Sequence, residues 1–365
     1  MLTTTFHPLK KMREQYSNQE IVSELFARKD KGLISVQENG RFLSFCYTKE
    51  CQFNKEWDDF TRIARGLIFD TRLQVFHCTL AKFMNYGELS EEERPKGEIV
   101  EVSNKYDGSL IILYFDIEEG EWRTATKGSF KSDQAYWAQK WFNEKPIDLN
   151  PYVTYLCEAI YEENQIVVKY DWTGMVFLAA YRNNGFDEIN LEEHFNNINL
   201  HNRYKLRETY NISSLDKIAP LLDQKNFEGV VVKYTCGTRV KFKSDEYCAL
   251  HKLVTGVTRR RVWELLYNEM SNNLSDMKIS EWKRNVPEEF WPEVDTWASE
   301  YLNQVNGAIE GAKMIFPEVK AKTSTRKEFA LEVNRYYPIL RSILFMMLDN
   351  KTSNLELKVM EMLRP

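Results

Sequence analysis

Apolar positions follow two different periods along the chain. From about Gly32 to Lys243, short runs alternate apolar with polar residues or are rich in β-branched side chains, with Gly and Asn between them. LISVQENGRFLSFCY, ARGLIFD, EIVEVSN, SLIILYF, QIVVKYD, MVFLAAY and GVVVKY all read as strands. Asn39-Gly40 marks a hairpin turn, and EIVEVSN-KYDG-SLIILYF likewise reads strand, tight turn, strand. Helical spacing interrupts at SDQAYWAQKWFNE (132–144) and LEEHFNNI (191–198). Such a pattern predicts a mainly antiparallel α+β domain and not a doubly wound parallel sheet. After about residue 250 the strand signals fade. Val294, Trp297, Ala298, Tyr301, Leu302 and Val305 recur at helical spacing, and TRRRVWELLYNEM and RSILFMMLD also read as helices, the first with Thr258 as its N-cap. The expected organisation is an α+β domain over residues 1–250 and an all-helical C-terminal domain over 251–365.

Composition narrows the class without naming a function. The chain has 365 residues, enough for two cores, and its 43% hydrophobic and 28% charged residues are ordinary for a globular protein. MLTTTFHPLKKMREQYSNQE lacks an apolar leader segment, and no run approaches 18 apolar residues. A cytoplasmic protein that does not span a membrane is the expectation. The six cysteines are scattered without a C-x-x-C pair, which fits reduced thiols. Cys248 and His251 have a ligand-like gap, but no second pair completes a zinc site. The net charge is −5, so contact with a nucleic acid has to come from a local groove of Lys and Arg. Residues 251–365 are near neutral, with 17 Lys and Arg against 16 Asp and Glu.

Candidate chemistry centres on Lys105-Tyr106-Asp107-Gly108-Ser109, between two expected strands. Alone, Lys-x-Asp-Gly is also a plain hairpin turn. Other residues follow in order: Lys127-Gly128-Ser129, Glu158 in YLCEAIY, Glu228-Gly229 leading FEGVVVKY, and Lys241-Phe242-Lys243-Ser244; Arg65-Gly66 and Lys82-Phe83 lie upstream. Lys241 and Lys243 share one strand face, because side chains alternate with period two. Each residue singly has a bland reading as an edge lysine, a turn or a surface ion pair. Together, two lysines, two glutamates and an arginine around a turn bearing a nucleophile are poorly explained that way.

These segments resemble the covalent nucleotidyltransferases, the ligases and capping enzymes, and within them the single-strand RNA ligases of the phage RNA ligase 1 type. KYDGS resembles the nucleotidyl-lysine motif, TKGSFKSDQA the K-G-S-x-K-S segment, CEAIYEENQIVVKY the third motif, NFEGVVVKY the fourth and VKFKSDEYCALH the fifth. RIARGLIFD and LAKFMNYGE resemble the upstream elements, so the likeness covers roughly residues 60–251. Tyr106 and Met84 depart from it, standing where the phage enzyme has an acidic and an aromatic residue.

The resemblance implies an ATP-dependent RNA ligase with an antiparallel nucleotidyltransferase domain. Lys105 would carry AMP, pass it to an RNA 5′-phosphate, and a 3′-hydroxyl would then displace it. Lys105, Glu228, Lys241 and Lys243 are the implied catalytic residues, with Lys241 at the α-phosphate. Arg65, Lys82, Lys127, Glu158 and Tyr247 are implied on the nucleotide, and Glu158 and Glu228 on Mg²⁺, for which Mn²⁺ could substitute. The reacting amine must be neutral, although its reference pKa is about 10.4. Lys241, Lys243, Arg65 and the metal are expected to favour that form. Phe177 is a candidate adenine-stacking residue. Implied partners are RNA with 5′-phosphate and 3′-hydroxyl ends, tRNA among the candidates, and a separate end-healing kinase/phosphatase. The tail is expected to dock substrate, with Arg259-Arg260-Arg261 as either a phosphate contact or a solvated basic turn. A DNA ligase or capping guanylyltransferase is the alternative, against which the helical tail argues, since those enzymes usually append a small β-barrel there. A catalytically dead RNA-end-binding homologue is the second alternative.

Overall fold

The computed structural model describes residues 5–196, 198–271 and 277–365. The chain divides into two compact units, Met1–Val254 and Thr255–Pro365.

Among the described residues, thirteen strands build the first unit. They are β1 (Ile34–Asn39), β2 (Phe42–Tyr47), β3 (Arg65–Asp70), β4 (Val75–His77), β5 (Ile99–Lys105), β6 (Ser109–Asp116) and β7 (Glu121–Thr126). Then come β8 (Val153–Ile160), β9 (Gly174–Arg182), β10 (Tyr204–Leu206), β11 (Thr209–Tyr210), β12 (Gly229–Tyr234) and β13 (Arg239–Lys243). They form three sheets, ordered β1-β2-β3-β4, β10-β9-β8-β6-β7 and β11-β5-β12-β13. Every pairing is antiparallel except that of β10 with β9. The expected α+β class, with a helical C-terminal region, is therefore what the chain adopts.

Period-two side-chain alternation sorts the strands into layers. On β6, Ile112 and Tyr114 enter a core with Phe45, Leu67 and Phe76 of the first sheet. Ile111 and Leu113 face the opposite core, which holds Phe142 of the helix Asp133–Glu144. A strand buried on both faces reads as the continuous apolar run LIILYF. In the third sheet Val102, Val230, Val232 and Val240 face inward. The intervening residues face a cleft.

Two sequence readings need correction. EIVEVSN and SLIILYF do not form a hairpin: β5 pairs with β11 and β12, and β6 with β7 and β8. Lys105-Tyr106-Asp107-Gly108 therefore crosses from one sheet to another. QIVVKYD is not a strand either; residues 165–171 form a loop. The 191–198 pattern gives a short helix, Leu191–Phe195, and Asn197 lies outside the described residues.

In the second unit, the helix Trp291–Lys322 buries Val294, Tyr301, Val305, Ile309 and Ala312 on one face. Thr258 caps the helix Arg259–Met270 by accepting the Arg261 amide, and Trp263 Nε1 donates to the Met360 carbonyl at 2.8 Å. Trp297 of the long helix is only half-buried. The three arginines at 259–261 meet acids of their own unit, Arg259 with Glu300 at 2.5 Å and Arg260 with Glu264 at 3.1 Å. Arg261 lies 3.6 Å from Glu264. Among the described residues no helix is long and apolar enough to cross a membrane.

Candidate active site

A cleft of about 300 Å³ opens in the first unit, lined by residues from all three sheets. The third sheet supplies its basic wall through two cross-strand rows. Lys105 and Lys243 both register with Gly229, and Ser103 and Lys241 both register with Val231. Strand alternation thus delivers Lys105, Lys241 and Lys243 to one face, with valines on the other. The second sheet contributes Leu110, Glu158 and Leu178, with Leu110 opposite Glu158 in register. Arg65, Lys82 and Tyr47 of the first sheet and the segment after it also line the cleft, as do Leu80, Phe83, Glu101, Arg207 and Arg239.

Glu228 stands at the end of the first row. Its Oε1 lies 2.6 Å from Lys105 Nζ and 3.5 Å from Lys243 Nζ, and the side chain is 3% exposed. Its other oxygen, Oε2, is buried with no hydrogen-bond partner among the described residues. Gly229 permits this arrangement: at φ +147°, a Cβ there would sit 2.8 Å from the Lys243 Cα and closer still to the Phe242 carbonyl. The nearest charged neighbour of Lys105 is thus a carboxylate.

Asp107 fixes the turn that aims Lys105. Its buried carboxylate accepts the Val167 and Val168 amides, each at 2.8 Å, and the Tyr247 hydroxyl at 2.9 Å. Its own amide donates to Tyr170 Oη at 2.8 Å. The Val-Val run reads as a strand locally, yet two of its amides serve this carboxylate. Tyr247 is buried and does not line the cleft, so its implied nucleotide contact becomes support of the turn.

Burial pushes the carboxyl of Glu158 up to about 8, with Lys105 opposing and Glu228 adding to the rise. A carboxyl so disfavoured as an anion, beside an orphaned buried carboxylate oxygen, is chemistry suited to a divalent cation. Among the described residues no group of three His, Cys, Asp or Glu gathers into a metal cage. The two glutamates would therefore hold a largely hydrated ion, which suits Mg²⁺.

Three more cations converge on Tyr47. Lys127 Nζ and Lys82 Nζ lie 4.9 and 5.4 Å from its ring centre. Burial alone would raise this phenol, but the charges of Lys127, Lys82 and Arg65 bring it below its ordinary value. Gly66, at φ +85°, lets β3 approach Lys127, whose Cα would be 2.9 Å from an added Cβ. Lys127 itself does not line the cleft. Phe177 is a core residue packed on Phe195 and Tyr204, not an adenine platform. Its neighbour Leu178 lines the cleft instead, at a bulge where Leu156 registers with Ala179 and Cys157 with Phe177. Tyr47 and Leu178 carried no sequence signal as site residues.

The chain was compared with known proteins. Residues 63–247 match the family described as RNA ligase. An uncharacterized protein of Ostreid herpesvirus 1 is 31% identical over 161 residues, a span of 41% of this chain but only 39% of that protein. Among solved structures, an archaeal ATP-dependent RNA ligase is 14% identical with a TM-score of 0.45, covering 79% of each chain. An RNA ligase of Naegleria gruberi with PPi is 18% identical with a TM-score of 0.31, over 43% of this chain and 52% of that one. These two likenesses decide nothing about chemistry. The family match spans the strands that carry Arg65, Lys105, Glu158, Lys241 and Lys243 around one cleft, together with Glu228 against Lys105, and by it the chain belongs to the RNA ligase family.

Proposed function

We propose that the protein is an ATP-dependent RNA ligase working through a covalent Lys105–AMP intermediate. The observation that carries this reading is the row Lys105–Gly229–Lys243 closed by buried Glu228. The Lys105 amine attacks the ATP α-phosphorus; a P–N bond forms, the P–O bond to pyrophosphate breaks, and pyrophosphate leaves with that electron pair. An RNA 5′-phosphate oxygen then displaces the lysine, which takes back a proton, giving AMP-capped RNA. Finally a 3′-hydroxyl attacks the capped phosphate, forming the phosphodiester and releasing AMP.

In the first step Lys241 and Lys243 neutralise charge on the phosphates, and Arg65 and Lys82 receive the departing pyrophosphate. A divalent cation on Glu158 and Glu228, Mg²⁺ or Mn²⁺, would add charge on the phosphate oxygens and compete with Lys105 for Glu228. Asp107, clamped by Tyr247 and the loop amides, keeps the lysine aimed. We further propose that residues 1–250 form the adenylylating domain and that 251–365 dock the RNA, tRNA among the candidates, after a separate kinase/phosphatase has prepared its ends.

The test is incubation with labelled ATP and Mg²⁺, followed by 5′-phosphorylated single-stranded RNA. A labelled protein, a capped RNA and then a sealed circle are expected. Absence of a covalent adduct would reject the reading; an adduct from GTP alone would favour a capping enzyme, and sealing of nicked DNA alone a DNA ligase.

A further inference from the structure

We infer that the 5′-phosphorylated RNA strand reaches Lys105 through a second, adjoining cleft floored by Phe6 and Phe83 and rimmed by Lys11, Arg62 and Lys82. It rests on the reading of Lys105 as the AMP carrier, because AMP transfer needs the 5′-phosphate beside the charged lysine. Two clefts share lining residues with the lysine site and a third lies beyond the Asp107 turn, and charge separates them. The largest, sharing Glu101 and Arg207 with the lysine site, is lined by five acidic and three basic residues. The cleft beyond Asp107 has three acidic residues and one basic. The remaining cleft, of about 270 Å³, shares Leu80, Lys82, Phe83 and Arg239 with the lysine site and has four basic residues to the single acid Asp59.

On a chain of net charge −5, such a local excess is where a polyanion gains most. Of the four cations, Arg239 is committed to Glu188, whereas the side chains of Lys11 and Arg62 are exposed. Arg62 is tied to the lysine site through its carbonyl, which accepts the Lys82 amide at 2.8 Å. The aromatic walls suit a terminal base: the Phe6 ring has Lys11 Nζ 5.6 Å from its centre, and Phe83 has Arg65 at 5.5 Å. Cations tracking a backbone beside aromatic faces are how proteins hold single strands. Lys11 and Arg62 lie outside the machinery assigned to adenylylation.

The experiment compares wild type with Lys11→Ala/Arg62→Ala in the full chain, by three readouts. Adduct formation over a range of ATP concentrations is expected to stay within about twofold. Transfer of AMP from pre-adenylylated protein to 5′-phosphorylated RNA is expected to fall roughly tenfold or more, the scale of losing charge-assisted phosphate contacts. Binding of that RNA is expected to lose about 0.7 in salt slope for each contact removed. Lys11→Arg/Arg62→Lys is expected to restore transfer. Unchanged transfer and RNA binding would overturn the inference. So would a raised ATP requirement for adduct formation, which would assign the cleft to the nucleotide's own phosphates. If wild type forms no adduct, it is the Lys105 reading that fails.

Discussion

At the scale of single residues, the site depends on a chain of contacts ending at Lys105. Tyr247 is the informative link, because sequence resemblance puts it on the nucleotide and the structure puts its hydroxyl on Asp107. Tyr247→Phe removes a hydrogen bond to a carboxylate, a loss of about 1.5–3 kcal/mol that chemical denaturation should register. If the hydroxyl only steadies the turn, adduct formation slows while the ATP concentration for half-maximal rate stays put. A large rise in that concentration would return Tyr247 to the nucleotide. Lys105, Glu228, Lys241 and Lys243 were legible as a set in the sequence, because alternation and order carry them. Phe177 lies off the cleft because a bulge moves Leu178 there, and a bulge leaves no mark in a run such as MVFLAAY.

At the scale of elements, the decisive feature is that the KYDG turn joins two sheets. Local pattern could not tell it from a hairpin, since the partners of β5 come from more than a hundred residues downstream. The loop 165–171 resembles a strand in sequence for a related reason: β-branched residues suit a strand, but here the Asp107 carboxylate takes the amides that a neighbouring strand would need. The start of the chain carries a local signal of its own. Ser17 and Glu20 form a capping box that opens the helix Asn18–Asp30, with only Ile21 and Leu25 buried to give it period. The row Lys105–Gly229–Lys243 yields a prediction of its own. Gly229→Ala places a methyl against Phe242 and Lys243 at a φ that side chains avoid. The backbone strain alone amounts to about 1–3 kcal/mol. Thermal unfolding should occur at lower temperature, and adduct formation should fall at least tenfold even where the variant remains folded, since a 1 Å displacement of a reacting group costs of that order or more. Wild-type adduct formation in a folded Gly229→Ala protein would mean that the row's spacing is unimportant.

At the scale of the whole molecule, composition foretold class but not where charge is stored. Glu101 and Glu188 are partly buried with Arg207, Lys233 and Arg239, a network that no local run announces. Two buried histidines set the acid limit. Burial lowers His7 to about 3 and His77 to about 4. Between the unfolded value near 6.5 and those folded values, the unfolded chain binds protons that the folded chain refuses. The histidines' share of stability is therefore full above pH 6.5 and falls as pH drops, by up to about 1.4 kcal/mol per pH unit each, against an opposite slope from Glu158, whose carboxyl is raised to about 8 in the folded chain. Urea unfolding from pH 7 to 5 should show this slope, and His77→Gln should remove its share; an unaltered slope would mean that His77 accepts a proton when folded. The central claim is that one amine in this chain becomes the AMP carrier. Peptide mapping by mass spectrometry after incubation with ATP and Mg²⁺ tests it directly. One adenylyl group on the peptide containing Lys105, absent in Lys105→Ala, is the predicted result. Label on Lys127, Lys241 or Lys243 instead, or an undiminished adduct in Lys105→Ala, would contradict it.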